Sequence, residues 1–300
     1  MAEGTEELIH IARWPEGLRH PVLVLVMEGW IDAGLGAAGA LSTLLQGMPT
    51  EIFATFDSDA LIDQRARRPM LRIVSGVNTS LNWPELTLRL GESEGRSVIV
   101  MSGPEPDMRW KQFTREVVSV TRRLGVEMVV GLGAFPAPVP HTRPVRMVAT
   151  ATTQELADRI GYVPATIEVP AGIQASLERA FAEANMPAVG IWARVPHYAA
   201  GMPYPAASDA LLNKLHELTG VVVDTTELKN TATNALGQLD QLISGSPEHS
   251  ALVRQLERQE DDEAIADAGG DFNLSNLTTL PSGDEIAAEL ERFLRGDEQQ

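Results

Sequence analysis

The stretch Val126-Glu-Met-Val-Val-Gly-Leu132, running on into Gly133-Ala-Phe-Pro-Ala-Pro-Val-Pro-His-Thr-Arg-Pro144, decides the reading of the fold. The first seven residues form a short, nearly continuous apolar run, the pattern of a strand buried on both faces of a parallel sheet. The loop that follows therefore leaves the carboxyl end of that strand, where open α/β sheets bind their ligands. Four prolines, at 136, 138, 140 and 144, hold it in a narrow range of backbone conformations. Two readings stay open for it, a rigid surface connection with locally satisfied polar groups or a recognition loop presenting His141 and Arg143.

Outward from this stretch, short apolar runs alternate with helical patterns. Strands are expected at Val22–Met27, Glu51–Phe56, Leu71–Val74, Val98–Met101, Val145–Ala149 and Val189–Val195. Helices are expected at Leu35–Gln46, Arg109–Leu124, Thr153–Ile160, Ile173–Asn185 and Ala206–Thr219, several closed by a glycine such as Gly125 or Gly220. The alternation predicts an α/β fold with a mostly parallel sheet flanked by helices. Beyond Val223 only helical patterns remain, at Thr226–Ile243, Glu248–Glu260 and Asp284–Leu294. The expected division is an α/β core over residues 1–225 and an acidic helical C-terminal region over 226–300 packed on it.

Five ordered motifs carry a family resemblance: Gly29-Trp-Ile-Asp-Ala-Gly34, Asp57-Ser-Asp59 through Arg67-Arg-Pro69, Gly103-Pro-Glu-Pro-Asp-Met-Arg-Trp110, the proline loop, and Trp192-Ala-Arg-Val-Pro-His-Tyr198. Together they resemble the proteasome assembly chaperone 2 family in its bacterial branch. The resemblance implies a nucleoside-phosphorylase-like fold and, from eukaryotic relatives, a role in chaperoning proteasome subunits. For the bacterial branch it implies no particular reaction. It also points to proteasome subunits as partners and to self-association, with a trimer preferred from the phosphorylase-like fold.

Composition bounds the function from the other side. Three hundred residues, 44% of them hydrophobic, supply a substantial core. A formal charge of −17 argues against nucleic acid and anionic membrane surfaces as partners, because both need clustered Lys/Arg. Residues 248–300 hold 14 Asp/Glu against 4 Arg, a net of −10. That run reads as a solvated helix face or, alternatively, a docking surface. No cysteine is present, which removes thiolate catalysis, disulfides and zinc-thiolate sites. The acidic N-terminus lacks the positive charge of a signal peptide, and a cytoplasmic location is expected.

Gly34-Leu-Gly36-Ala-Ala-Gly39 matches the dinucleotide fingerprint, with Asp57 and Asp59 placed about where a ribose-binding acid belongs. Six residues, 28–33, separate the strand from Gly34, whereas the fingerprint needs its first glycine almost at the strand end. The small residues fit better as a helix packed closely on the sheet with Asp32 as its cap, so no cofactor is expected. No H-x-x-x-H spacing or G-x-S-x-G elbow occurs, and no metal or catalytic residue is assigned. The binding candidates gathered at the carboxyl edge are Trp30, Asp32, Asp57, Asp59, Arg65, Arg68, Glu105, His141, Arg143, His197 and Tyr198. The functional expectation is protein–protein interaction. The alternative is an enzyme or binder of a nucleoside-like molecule, in which Asp32 with Asp57 or Glu105 would work as paired carboxylates.

Overall fold

The computed structural model describes residues 7–29, 31–163 and 165–269. Strand β2 (Val22–Glu28) is the centre of the architecture. Val22, Val24 and Val26 fill one core, while Leu23 and Leu25 fill another on the opposite face. Strands β7 (Arg96–Pro104), β8 (Met128–Ala137) and β10 (Ala188–Pro196) share this property and run parallel to β2, in the spatial order β7-β2-β8-β10. One core is roofed by helices α1 (Gly36–Gly47) and α6 (Pro205–Thr219), the other by α3 (Trp110–Arg123) and α5 (Ile173–Glu183). An α/β sandwich with helices on both faces follows, as the alternating pattern predicts.

The parallel expectation holds for those four central strands, and the flanks run antiparallel. Strands β1 (Ile9–Ile11), β3 (Thr50–Phe56) and β6 (Thr87–Ser93) extend the sheet beyond β7, giving the full order β1-β3-β6-β7-β2-β8-β10-β9. Strand β6 is joined to β7 by the tight turn Glu94-Gly95, both residues at positive φ, and a turn that short permits only an antiparallel partner. Strand β9 (Met147–Ala151) starts at the carboxyl edge directly after the proline loop, with no crossover helix to carry it back, so it lies antiparallel on β10. The segment expected as a strand at Leu71–Val74 leaves the main sheet. It forms β4 (Met70–Val74) and pairs with β5 (Val77–Asn82), which the apolar pattern does not announce, in a separate hairpin.

Helix α1 lies close against α6 and β8, and its glycines make this possible. A Cβ on Gly36 would stand 2.9 Å from the Cβ of Ala134, and one on Gly39 would stand 2.4 Å from Ser208 Oγ. Ser208 cannot swing away freely, because its hydroxyl donates to Gly36 O at 2.8 Å. The small residues between 34 and 39 thus serve helix packing.

After α6 the chain continues in helices α7 (Thr226–Ser244) and α8 (Pro247–Gly269), with no further strand among the described residues. Leu239, Ile243 and Val253 join the core beneath α6. Helix α8 runs past the Glu248–Glu260 expected for it. The helix expected at Asp284–Leu294 lies outside the described residues.

One polar network centres on a buried carboxylate and reaches out to exposed Thr150. Glu178 on α5 accepts from Thr150 Oγ1 at 2.7 Å and from Gln174 Nε2 at 3.4 Å, while Trp192 Nε1 donates to Thr150 Oγ1 at 3.2 Å. Burial pushes the Glu178 carboxyl up to about 7, against an ordinary value of 4.5, and the two donors offset only part of that rise.

Two stability predictions follow from these contacts. Gly39→Leu forces a side chain into Ser208 and should destabilise by about 1–3 kcal/mol in denaturant unfolding. For Glu178, the native state binds more protons than the unfolded state between pH 4.5 and 7, so stability should fall as pH rises through that window. The loss is at most about 3 kcal/mol. Glu178→Gln keeps the hydrogen-bonding shape without the charge and should flatten that slope in thermal melts across pH.

Candidate functional site

Strands β2, β7, β8 and β10 all end on one side of the sheet, and the loops after them gather there with the chain leaving β3. Asp32, four residues after β2, bridges to Ala134 of β8. Its carboxylate accepts from Ala37 N at 2.7 Å and Ala38 N at 2.9 Å, which caps α1. Burial raises the Asp32 carboxyl above its usual range, and the helix N–H donors hold that rise in check. The N–H of Gly34 donates to Ala200 O at 2.8 Å and that of Leu35 to Asp32 O at 3.1 Å. The donors a pyrophosphate would need at this helix start are therefore spent inside the protein. The glycine fingerprint is a packing motif here.

The other carboxylates are used in the same way. Asp57 caps the short helix α2 (Ser58–Leu61), accepting from Asp59 N at 3.0 Å and Ala60 N at 3.1 Å. Glu105 Oε1 takes the N–H of Ile173 at the start of α5. Arg67 donates to Glu105 O and lies 3.8 Å from Asp107 Oδ1, so its ion pair is with Asp107 and not with Asp63, four residues before it. Asp63 instead accepts from its neighbour Arg65 N at 2.9 Å. Asp59, Arg65 and Arg68 point to solvent, and neither arginine forms an ion pair among the described residues. Trp30 lies outside the described residues.

The proline loop is fastened at His141. This side chain is buried, with Nδ1 2.8 Å from Tyr198 Oη and Nε2 2.9 Å from Asp240 Oδ1 on α7. The backbone N–H of His141 also donates to Tyr198 Oη at 2.9 Å. Asp240 can only accept, so Nε2–H donates to it, and with the imidazole neutral the phenol donates to Nδ1. Tyr198 stacks edge-on against both His141 and His197, with centroids 5.8 and 5.3 Å away. Hydroxyl, imidazole and carboxylate stand in the order of a nucleophilic relay, but burial raises the phenol well above its ordinary value. The Tyr198 oxygen is also occupied by the backbone N–H of His141, and the arrangement ties three chain segments together as a clamp.

Arg143, next but one in the loop, is held by α8. Its Nε and Nη2 each meet an Asp261 oxygen at 2.8 Å, a bidentate pair, and Nη1 reaches Glu257 Oε1 at 3.3 Å. Asp261 raises the arginine above its ordinary value, and the guanidinium in turn holds the Asp261 carboxyl below the usual range. Thr142 Oγ1 donates to Glu257 at 2.6 Å. Arg194 on β10 pairs with Glu263 at 3.0 Å, and Arg146 lies 3.4 Å from Glu260. The acidic run of α8 is therefore a strap docked on three arginines of its own chain. These pairs add to the reading of the run as a solvated face on helices packed against the core, since part of that face is docked on arginines.

His141 and Arg143, expected as binding candidates, are engaged within the chain, and nothing in the sequence marked Asp240, Glu257 or Asp261 as their partners. Among the described residues, no group of three or more His, Asp or Glu is placed to hold a metal ion, and no helix is long and apolar enough to cross a membrane. The carboxyl edge also exposes apolar side chains: Ile31, Leu35, Met108 and Met202.

The geometry defines a class first: an α/β protein whose carboxyl-edge carboxylates cap helices, with an acidic helical strap fastened across its proline loop. The sequence profile of the PAC2 family matches residues 26–243, and the chain belongs to that family. A proteasome-assembly chaperone homologue from Mycobacterium tuberculosis is 35% identical, with 77% of this chain and 99% of that one covered and a TM-score of 0.72. A PAC2 family protein from Streptomyces avermitilis is 36% identical over 78% of this chain and 99% of its own, with a TM-score of 0.70. A second M. tuberculosis protein, of unknown function, is 32% identical over 89% and 92%, with a TM-score of 0.80. No match was found among curated proteins.

Removing the bidentate anchor should loosen the strap selectively. Arg143→Ala is expected to speed hydrogen exchange in residues 257–263 and to leave 247–256, held by buried Val253 and Leu256, nearly unchanged. Added salt should act in the same direction on the wild type, because these pairs are partly solvent-exposed.

Proposed function

We propose that this protein is a proteasome-assembly-chaperone-like factor that works by binding other protein chains, in the cytoplasm, as a homo-oligomer with three copies preferred. The observation that carries this reading is the division of labour at the carboxyl edge. Asp32, Asp57 and Glu105 are engaged by backbone N–H groups, while Ile31, Leu35, Met108 and Met202 face solvent around them. A site for general acid–base chemistry needs free carboxylates facing a substrate, whereas apolar side chains rimmed by charge suit a protein partner. Asp59, Arg65, Arg68 and His197 supply such a rim, with Tyr198 behind His197. Proteasome subunits are the proposed clients, on the strength of the M. tuberculosis relative described as a proteasome-assembly chaperone homologue.

The test is reconstitution. Purified proteasome α- and β-subunits should assemble faster, on native gels, with the wild-type protein than without it. Leu35→Glu combined with Met108→Glu should abolish the effect while leaving the melting temperature unchanged, since both side chains are exposed. Unaltered assembly with the wild type, together with turnover of a nucleoside that Asp32→Asn removes, would replace this reading with the enzymatic one.

A further inference from the structure

The hairpin β4–β5 is the least explained part of the molecule. It springs from the carboxyl end of the β3 segment and returns into β6, outside the main sheet, and every one of its strand residues is exposed. Met70, Ile73 and Val77 are 73%, 59% and 63% exposed, and Leu71, Val74 and Leu81 are open to solvent as well. Leu71 pairs across from Leu81 and Val74 from Val77, whereas Met70 faces the opposite way from Leu71, so apolar groups occupy both sides of the ribbon. The turn Ser75-Gly76 has both residues at positive φ, which fixes the register. A two-stranded hairpin without a packing partner is marginal in water, and among the described residues this one has two open edges. Its charge is also unlike that of the chain: residues 64–84 carry Arg65, Arg67, Arg68 and Arg72 and no acid, in a protein of net −17.

A second segment has complementary properties. Thr166-Ile-Glu-Val-Pro-Ala171 is exposed and outside any helix or strand between β9 and α5, and its backbone makes no hydrogen bond among the described residues. Ile167 and Val169, at the strand period of two, are 62% and 68% exposed, with Glu168 between them. It offers what the hairpin's open edges can take up: unpaired backbone groups, two apolar side chains, and the negative charge that the hairpin lacks.

We infer that the hairpin of one copy docks on residues 166–171 of a second copy, adding that segment to an open edge of the ribbon and covering Ile167 and Val169 with its apolar side chains. The occupant is a second copy because the two surfaces belong to the same chain, match in backbone need and in charge, and are unpaired among the described residues of one protomer. Such a contact is head-to-tail, using different surfaces on the two copies, and closes into a ring when the rotation permits. The inference rests on the self-association proposed above and specifies where it occurs.

The test uses the full chain in sedimentation analysis at about 10 μM, a concentration at which an interface of ordinary affinity is populated. The hairpin variant Ile73→Glu/Val77→Glu and the segment variant Ile167→Glu/Val169→Glu alter only exposed positions and should keep the wild-type melting temperature. Each alone should sediment as a monomer. Mixed in equal amounts they should form a heterodimer and nothing larger, because one intact hairpin meets one intact segment and the other pair of surfaces is damaged. Because the chain has no cysteine, Val77→Cys/Val169→Cys treated with a short bismaleimide should also give covalently linked copies. Wild-type oligomers that both variants leave intact would overturn this contact and leave self-association standing. A monomeric wild type would overturn both. One variant that stays oligomeric while the other is monomeric would replace the head-to-tail contact with one between like surfaces, and variants that are monomeric alone and do not combine when mixed would overturn it.

Discussion

Strand β2 has no polar face. Both its neighbours and both helix layers must shield it, and it can satisfy its backbone only through strands that are equally buried, β7 on one side and β8 on the other. Parallel pairing brings the carboxyl ends of these strands together, and crossover helices must then return the chain over the two faces. Every polar residue that cannot enter this sandwich is displaced to the strand ends. The concentration of Asp, Arg and His at the carboxyl edge is therefore first a consequence of burial, and only second a statement about function.

What those polar groups do there is mostly to finish helices and tie loops. Asp32 and Asp57 each offer oxygen atoms to N–H groups that their helices cannot satisfy internally. His141 joins the proline loop to Tyr198 and to Asp240 of α7, so three segments far apart in sequence share one hydrogen-bonded junction. Proline restricts the loop from within, and the histidine clamp fixes it from outside. Arg143 is consequently presented in a set place, which favours the bidentate geometry it adopts with Asp261.

Much of this was legible in the sequence, for physical reasons that differ from element to element. The central strands announced themselves because a doubly buried strand must be apolar throughout, and α1, α3, α5 and α6 followed from their periodicity and glycine stops. Asp32 supplies capping oxygens to α1 as its sequence position suggested, though from outside the N-cap position, which Leu35 holds in the left-handed region. The antiparallel edges were not read, although Ser75-Gly76 and Glu94-Gly95 are turn signals of the kind that join hairpins. Strands β5 and β6 alternate weakly and carry too many polar residues for an apolar pattern to catch. The partners of His141 and Arg143 lie 99 and 118 residues away, and ion pairs have no period that would expose them. The charge of α8 was visible, but neither its run to Gly269 nor that several of its acids would be satisfied within the chain.

The strap has an energetic character of its own. Single exposed ion pairs contribute little, because solvent screens them and two long side chains must be ordered for each. Here the acids sit on one helix that is already anchored through Val253 and Leu256, so the cost of ordering the backbone is shared among several contacts. Arg194, on β10, and Arg143, beyond the end of β8, both face that helix, which makes the strap sensitive to the relative placement of strand and loop. A chain with −17 net charge would otherwise tend to hold an acidic helix away from its surface. Three arginines gathered beside the proline loop reverse that tendency locally, and so the most acidic described helix of the protein lies across its most constrained loop.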